Sequence, residues 1–133
     1  MIGEDKNTTI IDGDGRNLWS IVYINANDVN INGFTVQNTF LNDGTVGINI
    51  FYANNCVISD NTITANLSYG VSLRESRNSI VSENKISDIT QCGILLDSQS
   101  ERNMINGNYI EKCELDGIWL EKSSYKGFKE IPY

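Results

Sequence analysis

Short runs in which apolar residues alternate with polar ones recur along the chain at a nearly constant interval. Four of them open with glycine: Gly47-Ile48-Asn49-Ile50, Gly70-Val71-Ser72-Leu73, Gly93-Ile94-Leu95-Leu96 and Gly117-Ile118-Trp119-Leu120. These glycines stand 23, 23 and 24 residues apart. Each interval holds two further matches. One set is Asn55-Cys56-Val57, Asn78-Ser79-Ile80 and Asn103-Met104-Ile105; the other is Asn61-Thr62-Ile63, Asn84-Lys85-Ile86 and Asn108-Tyr109-Ile110. The last isoleucine of each repeat lies seven residues before the next glycine. In this alignment Asp97–Arg102 is two residues longer than its counterpart, and the run from Asn103 to Asn108 is one shorter.

Three apolar patterns within 23 residues cannot be three helices, because a helix of three turns consumes about 11 residues. Alternation over three to five residues is a strand signal. One such strand buries almost nothing alone, but repeats stacked at the ~4.8 Å strand spacing bury a continuous core. Stacking would place Ile48, Val71, Ile94 and Ile118 in one file, Ile50, Leu73, Leu96 and Leu120 in a second, and Ile63, Ile86 and Ile110 in a third. The fold class expected is therefore all-β: a parallel β-solenoid with three strands per turn and about five rungs of 23–24 residues.

Upstream the register loosens but persists. Val22-Tyr23-Ile24, Val29-Asn30-Ile31 and Phe34-Thr35-Val36 fit the three strands of an earlier rung, and Thr9-Ile10-Ile11-Asp12-Gly13 the last strand of one before it. Gln37–Val46 carries extra residues and reads as a projecting loop. Residues 1–133 read as one domain, with repeats over 7–120 and a polar tail or cap over 121–133 in which Pro132 stops any ladder. Such a stack exposes strand edges at both ends. The expectation is either that further rungs of a longer parent chain continue it, or that copies associate end to end.

Composition narrows the function classes. The formal net charge is −7, with 10 Lys and Arg against 17 Asp and Glu, and no cluster of cations of the kind a nucleic-acid surface needs. No apolar stretch approaches the ~18 residues of a membrane span. Histidine is absent, which removes His-based triads and His-ligated zinc. Cys56, Cys92 and Cys113 form no CxxC pair and read as packed thiols. Eighteen asparagines against one proline fit a strand-and-corner architecture. Asn61, Asn84 and Asn108 recur where one strand bends into the next, so their amides are expected to bond one another and the corner backbone.

Outward positions of consecutive rungs should form a flat, elongated face suited to a polymer. One outward file reads Tyr23, Asn49, Ser72, Leu95 and Trp119. Exposed aromatics there can stack on sugar rings while Asn49 and Ser72 bond hydroxyls. The next file reads Phe51, Arg74, Asp97 and Glu121, in which Arg74 and Asp97 should form a cross-strand ion pair. Asp97 beside Glu121 is the best candidate carboxylate pair for acid–base work; the other option is Arg74 as a proton abstractor. Asp60 and Glu83 also align on neighbouring rungs and could share a Ca²⁺ ion, although the next position is Gly107. Apart from that candidate no cofactor is expected. Asp12-Gly13-Asp14-Gly15 opens like a calcium loop but departs at Arg16 and reads as a tight turn.

The repeated Gly-[Ile/Val]-x-[Ile/Leu]…Asn-x-[Ile/Val]…Asn-x-Ile signature resembles the NosD-type, or carbohydrate-binding and sugar-hydrolase, right-handed parallel β-helix superfamily. Thr9-Ile10-Ile11-Asp12-Gly13-Asp14-Gly15 and Asn30-Ile31-Asn32-Gly33-Phe34-Thr35-Val36 resemble its first rungs, so the resemblance covers residues 7–120. It implies a single-stranded right-handed β-helix, a pectin lyase-like architecture and an extracellular or cell-surface address. Its enzyme motifs are largely missing: Gly-His-Gly and Asp-Pro-His both need histidine, and of the metal-binding His or Met expected of a copper-accessory branch the chain has only Met1 and Met104. The expected function is a non-catalytic surface or secreted module, structural and weakly binding a polysaccharide or cell-surface glycan. The alternative is a polysaccharide lyase or related carbohydrate-active enzyme fragment using Arg74, Asp97 and Glu121.

Overall fold

Parallel strands laid one above another make up the computed structural model, which describes residues 1–39, 44–97 and 99–121. No helix occurs among the described residues, and so none is long and apolar enough to cross a membrane. Part of the expected projecting loop (residues 40–43) and the expected tail beyond Glu121, with Pro132, lie outside the described residues.

Among the described residues twelve strands form two sheets, every pairing parallel. Second-strand positions make the smaller sheet: β3 (Asn30–Asn32), β6 (Val57–Ser59), β8 (Ile80–Ser82) and β10 (Met104–Asn106). First and third positions share the larger, eight-stranded sheet. It contains β1 (Ile10–Asp12), β2 (Ser20–Ile24), β4 (Thr35–Gln37), β5 (Val46–Phe51), β7 (Thr62–Arg74), β9 (Lys85–Asp97), β11 (Tyr109–Cys113) and β12 (Ile118–Leu120). From β2 to β12 the chain completes about four turns, bounded by five stacked first strands.

The three-strand turn is modified in one respect. In β7 and β9 the third strand of one turn runs directly into the first strand of the next, as a bent 13-residue strand. Two residues of β7, Ala65 and Asn66, stand where β9 has only Asp88, and all three have positive φ. This bulge bends the sheet without ending it. β4 and β5 are separate strands instead.

Aliphatic files occupy the interior as the spacing predicts. Ile48, Val71 and Ile94 are fully buried in one, Val36, Ile63 and Ile86 in another, and Ile58 and Val81 in a third above Ile31. Burial declines towards both ends, where Ile11, Ile21, Val22, Ile105, Ile110, Ile118 and Leu120 are only partly covered. Three of the repeat glycines, Gly47, Gly70 and Gly93, are required by close approach. A Cβ on Gly70 would lie 2.6 Å from both the Gly93 carbonyl oxygen and Ile86 Cγ2, inside any tolerable contact, so a side chain there would push two rungs apart.

Corners are turned by residues in the left-handed region: Gly33, Asp60, Glu83 and Gly107 between second and third strands, and Asp28, Asn55, Asn78 and Arg102 before the second. After the first of these corners comes the expected asparagine ladder. Asn84 Oδ1 accepts from the Asn61 backbone N–H at 3.0 Å and from Asn61 Nδ2 at 3.1 Å. Its own Nδ2 donates to the Ile58 carbonyl at 2.9 Å and to Asn108 Oδ1 at 3.0 Å. Phe34 N–H donates to Asn61 Oδ1, which extends the ladder one rung down. The ladder thereby pairs the Phe34, Asn61 and Asn84 N–H groups and the Ile58 carbonyl at the corner.

One part of the sequence alignment is corrected. Met104, not Ile105, pairs with Ile80 and, through it, with Val57. Asn103 therefore stacks on Ser79 and Cys56, while Ile105 joins the interior file of Ile58 and Val81. The physical reason is a second, mixed ladder. Ser79 Oγ accepts from the Cys56 N–H at 3.1 Å, Asn103 Oδ1 accepts from the Ser79 N–H at 2.9 Å, and Asn103 Nδ2 donates to the Ser76 carbonyl at 2.9 Å. Cysteine, serine and asparagine fill equivalent places. The apparent insertion of two residues followed by a deletion of one is a single inserted residue between Leu96 and Met104.

Loss of the Asn84 amide would strand the Asn61 N–H and the Ile58 carbonyl in the interior, at roughly 1–3 kcal/mol per unpaired buried group. Asn84→Ala is expected to lower the unfolding free energy in urea by about 2–4 kcal/mol, and Asn108→Ala, on a half-buried rung, by less. Equal losses, or none at Asn84, would contradict the ladder's role.

Candidate functional site

Five first strands lying side by side bring their outward residues into rows along the solenoid axis. The row Tyr23, Asn49, Ser72, Leu95 and Trp119 is in register, as is Phe51, Arg74 and Asp97 in the neighbouring row. Glu121 continues the second row: its N–H donates to the Leu96 carbonyl at 2.9 Å.

This face is not flat. Asn49, Ser72 and Leu95 form the floor of a cleft of about 280 Å³, where Ser72 and Leu95, expected to face outward, are buried at 3% and 5% exposure. Trp19, Gly44, Val46 and Tyr69 line it at the positions that precede the floor along the strands, and Arg74 and Glu121 at those that follow. Trp19 is 83% exposed, a free aromatic face at the end of the cleft. Tyr69 is half-buried, and its hydroxyl donates to Gln91 Oε1 at 2.6 Å. Burial first, then the nearby Cys92 thiol and the carboxylates of Glu121 and Asp97, push the Tyr69 phenol above its ordinary pKa against the opposing pull of Arg74. It remains a hydrogen-bond donor at neutral pH.

At the opposite wall Arg74 Nε donates to Asp97 Oδ2 at 2.5 Å. The Asp97 side chain is only 6% exposed, whereas Arg74 is half exposed. Glu121 shares a hydrogen bond with Asp97, and that bond, followed by the Asp97 charge, raises the Glu121 pKa above the ordinary glutamate value; Arg74 pulls the other way. Arg74, Asp97 and Glu121 are thus brought together in the order the repeat predicts.

Other expected residues fall elsewhere. Tyr23 is exposed and packs on Phe51, ring centroids 6.0 Å apart, and Phe51 meets Tyr52 edge-on at 4.5 Å. Trp119 keeps its row but lies outside the cleft-lining set. Asp60 forms a salt bridge with Lys6 at 2.6 Å, and the Glu83 carboxylate lies over Gly107, where an added Cβ would come within 2.1 Å of Oε1. Among the described residues no three His, Cys, Asp or Glu side chains gather as a metal site. The Asp12 carboxylate closes a turn, accepting from the Asp14 N–H at 2.7 Å, Asn38 Nδ2 at 2.8 Å and Gln37 Nε2 at 3.1 Å, which hold its pKa below the ordinary value. Cys56 and Cys92 are buried free thiols, and burial pushes Cys92 up to about 11, far from a reactive thiolate.

Trp19, Val46 and Tyr69 were not legible as site residues. Val46 and Tyr69 each directly precede a repeat glycine and pair with one another, and this position before the glycine was the available signal. Trp19 adjoins the same row, its carbonyl accepting from the Val46 N–H at 3.0 Å.

The family model described as right handed beta helix region matches residues 2–130. No curated protein and no solved structure matches the chain significantly.

Because Glu121 holds its proton more tightly folded than unfolded, its contribution to stability is complete below the unfolded-state pKa and is lost as pH rises through the folded-state value. Carbon-detected NMR of the Glu121 carboxyl is expected to show a midpoint above that of an ordinary glutamate, falling back in Asp97→Asn. An unchanged midpoint in that variant would remove Asp97 as the cause.

Proposed function

Since the chain belongs to the right-handed β-helix family, we propose that it is a non-catalytic module of a surface or secreted protein that binds a polysaccharide strand along the cleft. The observation that carries this reading is the cleft itself. Its lining residues come from five successive rungs, with an exposed Trp19 and a half-buried Tyr69 beside a floor of Asn49 and Ser72. An aromatic face takes the apolar side of a sugar ring, and fixed amide and hydroxyl groups bond its hydroxyls. Successive rungs repeat such positions every ~4.8 Å, an arrangement that suits an extended polymer better than a compact metabolite.

Carboxylate geometry supports binding over hydrolysis. Glycoside hydrolases hold their two carboxyl groups about 5–5.5 Å apart when retaining and about 6.5–9.5 Å apart when inverting, with the scissile bond between them. Asp97 is only 6% exposed and is held by Arg74 at 2.5 Å, so it is poorly placed to work with Glu121 across a scissile bond. A lyase reading is favoured by one fact, the presence of Arg74 at the same wall. Against it, Arg74 is clamped by Asp97 at 2.5 Å and so is poorly placed either to take a proton or to neutralise a substrate carboxylate.

Affinity electrophoresis against soluble polysaccharides tests the proposal. Retardation by at least one glycan is expected, weakened roughly two- to tenfold by Trp19→Ala through lost stacking and left unchanged by Trp119→Ala. Binding to no glycan would reject the reading. Products absorbing in the ultraviolet from uronate polymers, abolished by Arg74→Gln, would favour the lyase instead.

A further inference from the structure

Recognition of an anionic sugar needs an available cation, and a guanidinium offers the best one because its planar fork matches a carboxylate. Among the described residues Arg74 is the one Lys or Arg lining the cleft. Its charge is already committed, although its remaining N–H groups stay half exposed. Its Nε is held at 2.5 Å by the Asp97 carboxylate, whose side chain is 6% exposed. Swinging Arg74 towards a ligand would draw the cation away from a buried carboxylate, a costly exchange. Glu121 adds a second carboxyl group to the same wall, and Tyr69 and Cys92, the other titratable groups close by, supply no positive charge.

We propose that the cleft takes uncharged saccharides and turns away uronate polymers, with Asp97 as the positioning residue that commits Arg74. The inference rests on the glycan-binding reading above and adds the class of sugar. An uncharged ring meets no penalty there. Its hydroxyls accept from the guanidinium N–H groups not directed at Asp97, donate to Glu121, and bond Asn49 and Ser72 on the floor. A uronate carboxylate brought to the same wall faces Glu121 and Asp97 with only a shared cation between them. The formal net charge of −7 adds a general repulsion of polyanions, strongest at low salt.

The test compares laminarin, galactomannan and xyloglucan with polygalacturonate and alginate by affinity electrophoresis at low and moderate salt. The wild-type protein is expected to bind a neutral polymer and to bind the uronates at least about tenfold more weakly, as one uncompensated like charge at close range implies. Asp97→Asn releases Arg74 and is expected to raise uronate binding on the order of tenfold, a gain that Asp97→Asn/Arg74→Gln loses. Glu121→Gln, at an exposed position, removes one carboxylate and keeps the test alive should Asp97→Asn fail to fold; it is expected to raise the ratio of uronate to neutral binding several-fold. Uronate binding as strong as neutral binding in the wild type would overturn the selectivity while leaving the glycan reading intact. Binding of neither class would overturn both.

Discussion

Each rung of this protein can bury its aliphatic side chains only by lying in register on the rung below. A three-residue strand has no interior of its own, so the core exists only between rungs. The requirement is strict because side chains alternate between the two faces of a strand: a slip of one residue would turn Ile48 and Ile50 outward and Asn49 inward. Like side chains must therefore fall above like, and the files of Ile48, Val71 and Ile94 and of Ile63 and Ile86 follow from that need.

Corners pose the opposite problem, since a bend leaves backbone groups facing the interior with no strand to pair them. The chain meets it twice in every turn, by different means. Asn61, Asn84 and Asn108 form a uniform amide ladder, whereas Cys56, Ser79 and Asn103 do related work with three side chains of different chemistry. Left-handed residues at both corners bring these side chains to the inside. The same stacking that builds the core also builds the site. Asp97 lies beside Arg74 because their strands are in register, and Glu121 reaches Asp97 because the next turn repeats that register.

What could be read from the chain follows the same division. Files of like residues at fixed spacing are visible as a repeat, so the solenoid, its interior files and the Arg74–Asp97 pair were all legible. A ladder of identical asparagines was legible for the same reason. The Cys56–Ser79–Asn103 ladder was not, because equivalence there lies in a hydrogen-bonding role and not in residue type; matching asparagine with asparagine moved Asn103 one position out of place. The cleft was hidden for a different reason. Its floor lies on a repeat file, but Trp19 belongs to the least regular part of the chain, and Tyr69 has Val46 and Cys92 as its partners in register. Concavity arises from how such unlike residues stand around Ser72 and Leu95, which no periodicity encodes.

In-register parallel stacking is tested most directly by through-space proton contacts between backbones one turn apart. A NOESY spectrum of the isotope-labelled protein should connect Ile48 with Val71, Val71 with Ile94, and Ile58 with Val81, through the amide-to-Hα contacts of parallel neighbours. Strong Hα–Hα contacts linking sequence-adjacent strands, such as Val57–Ser59 with Thr62–Thr64, would mean antiparallel hairpins and would contradict the stacking on which the core, the ladders and the cleft all depend.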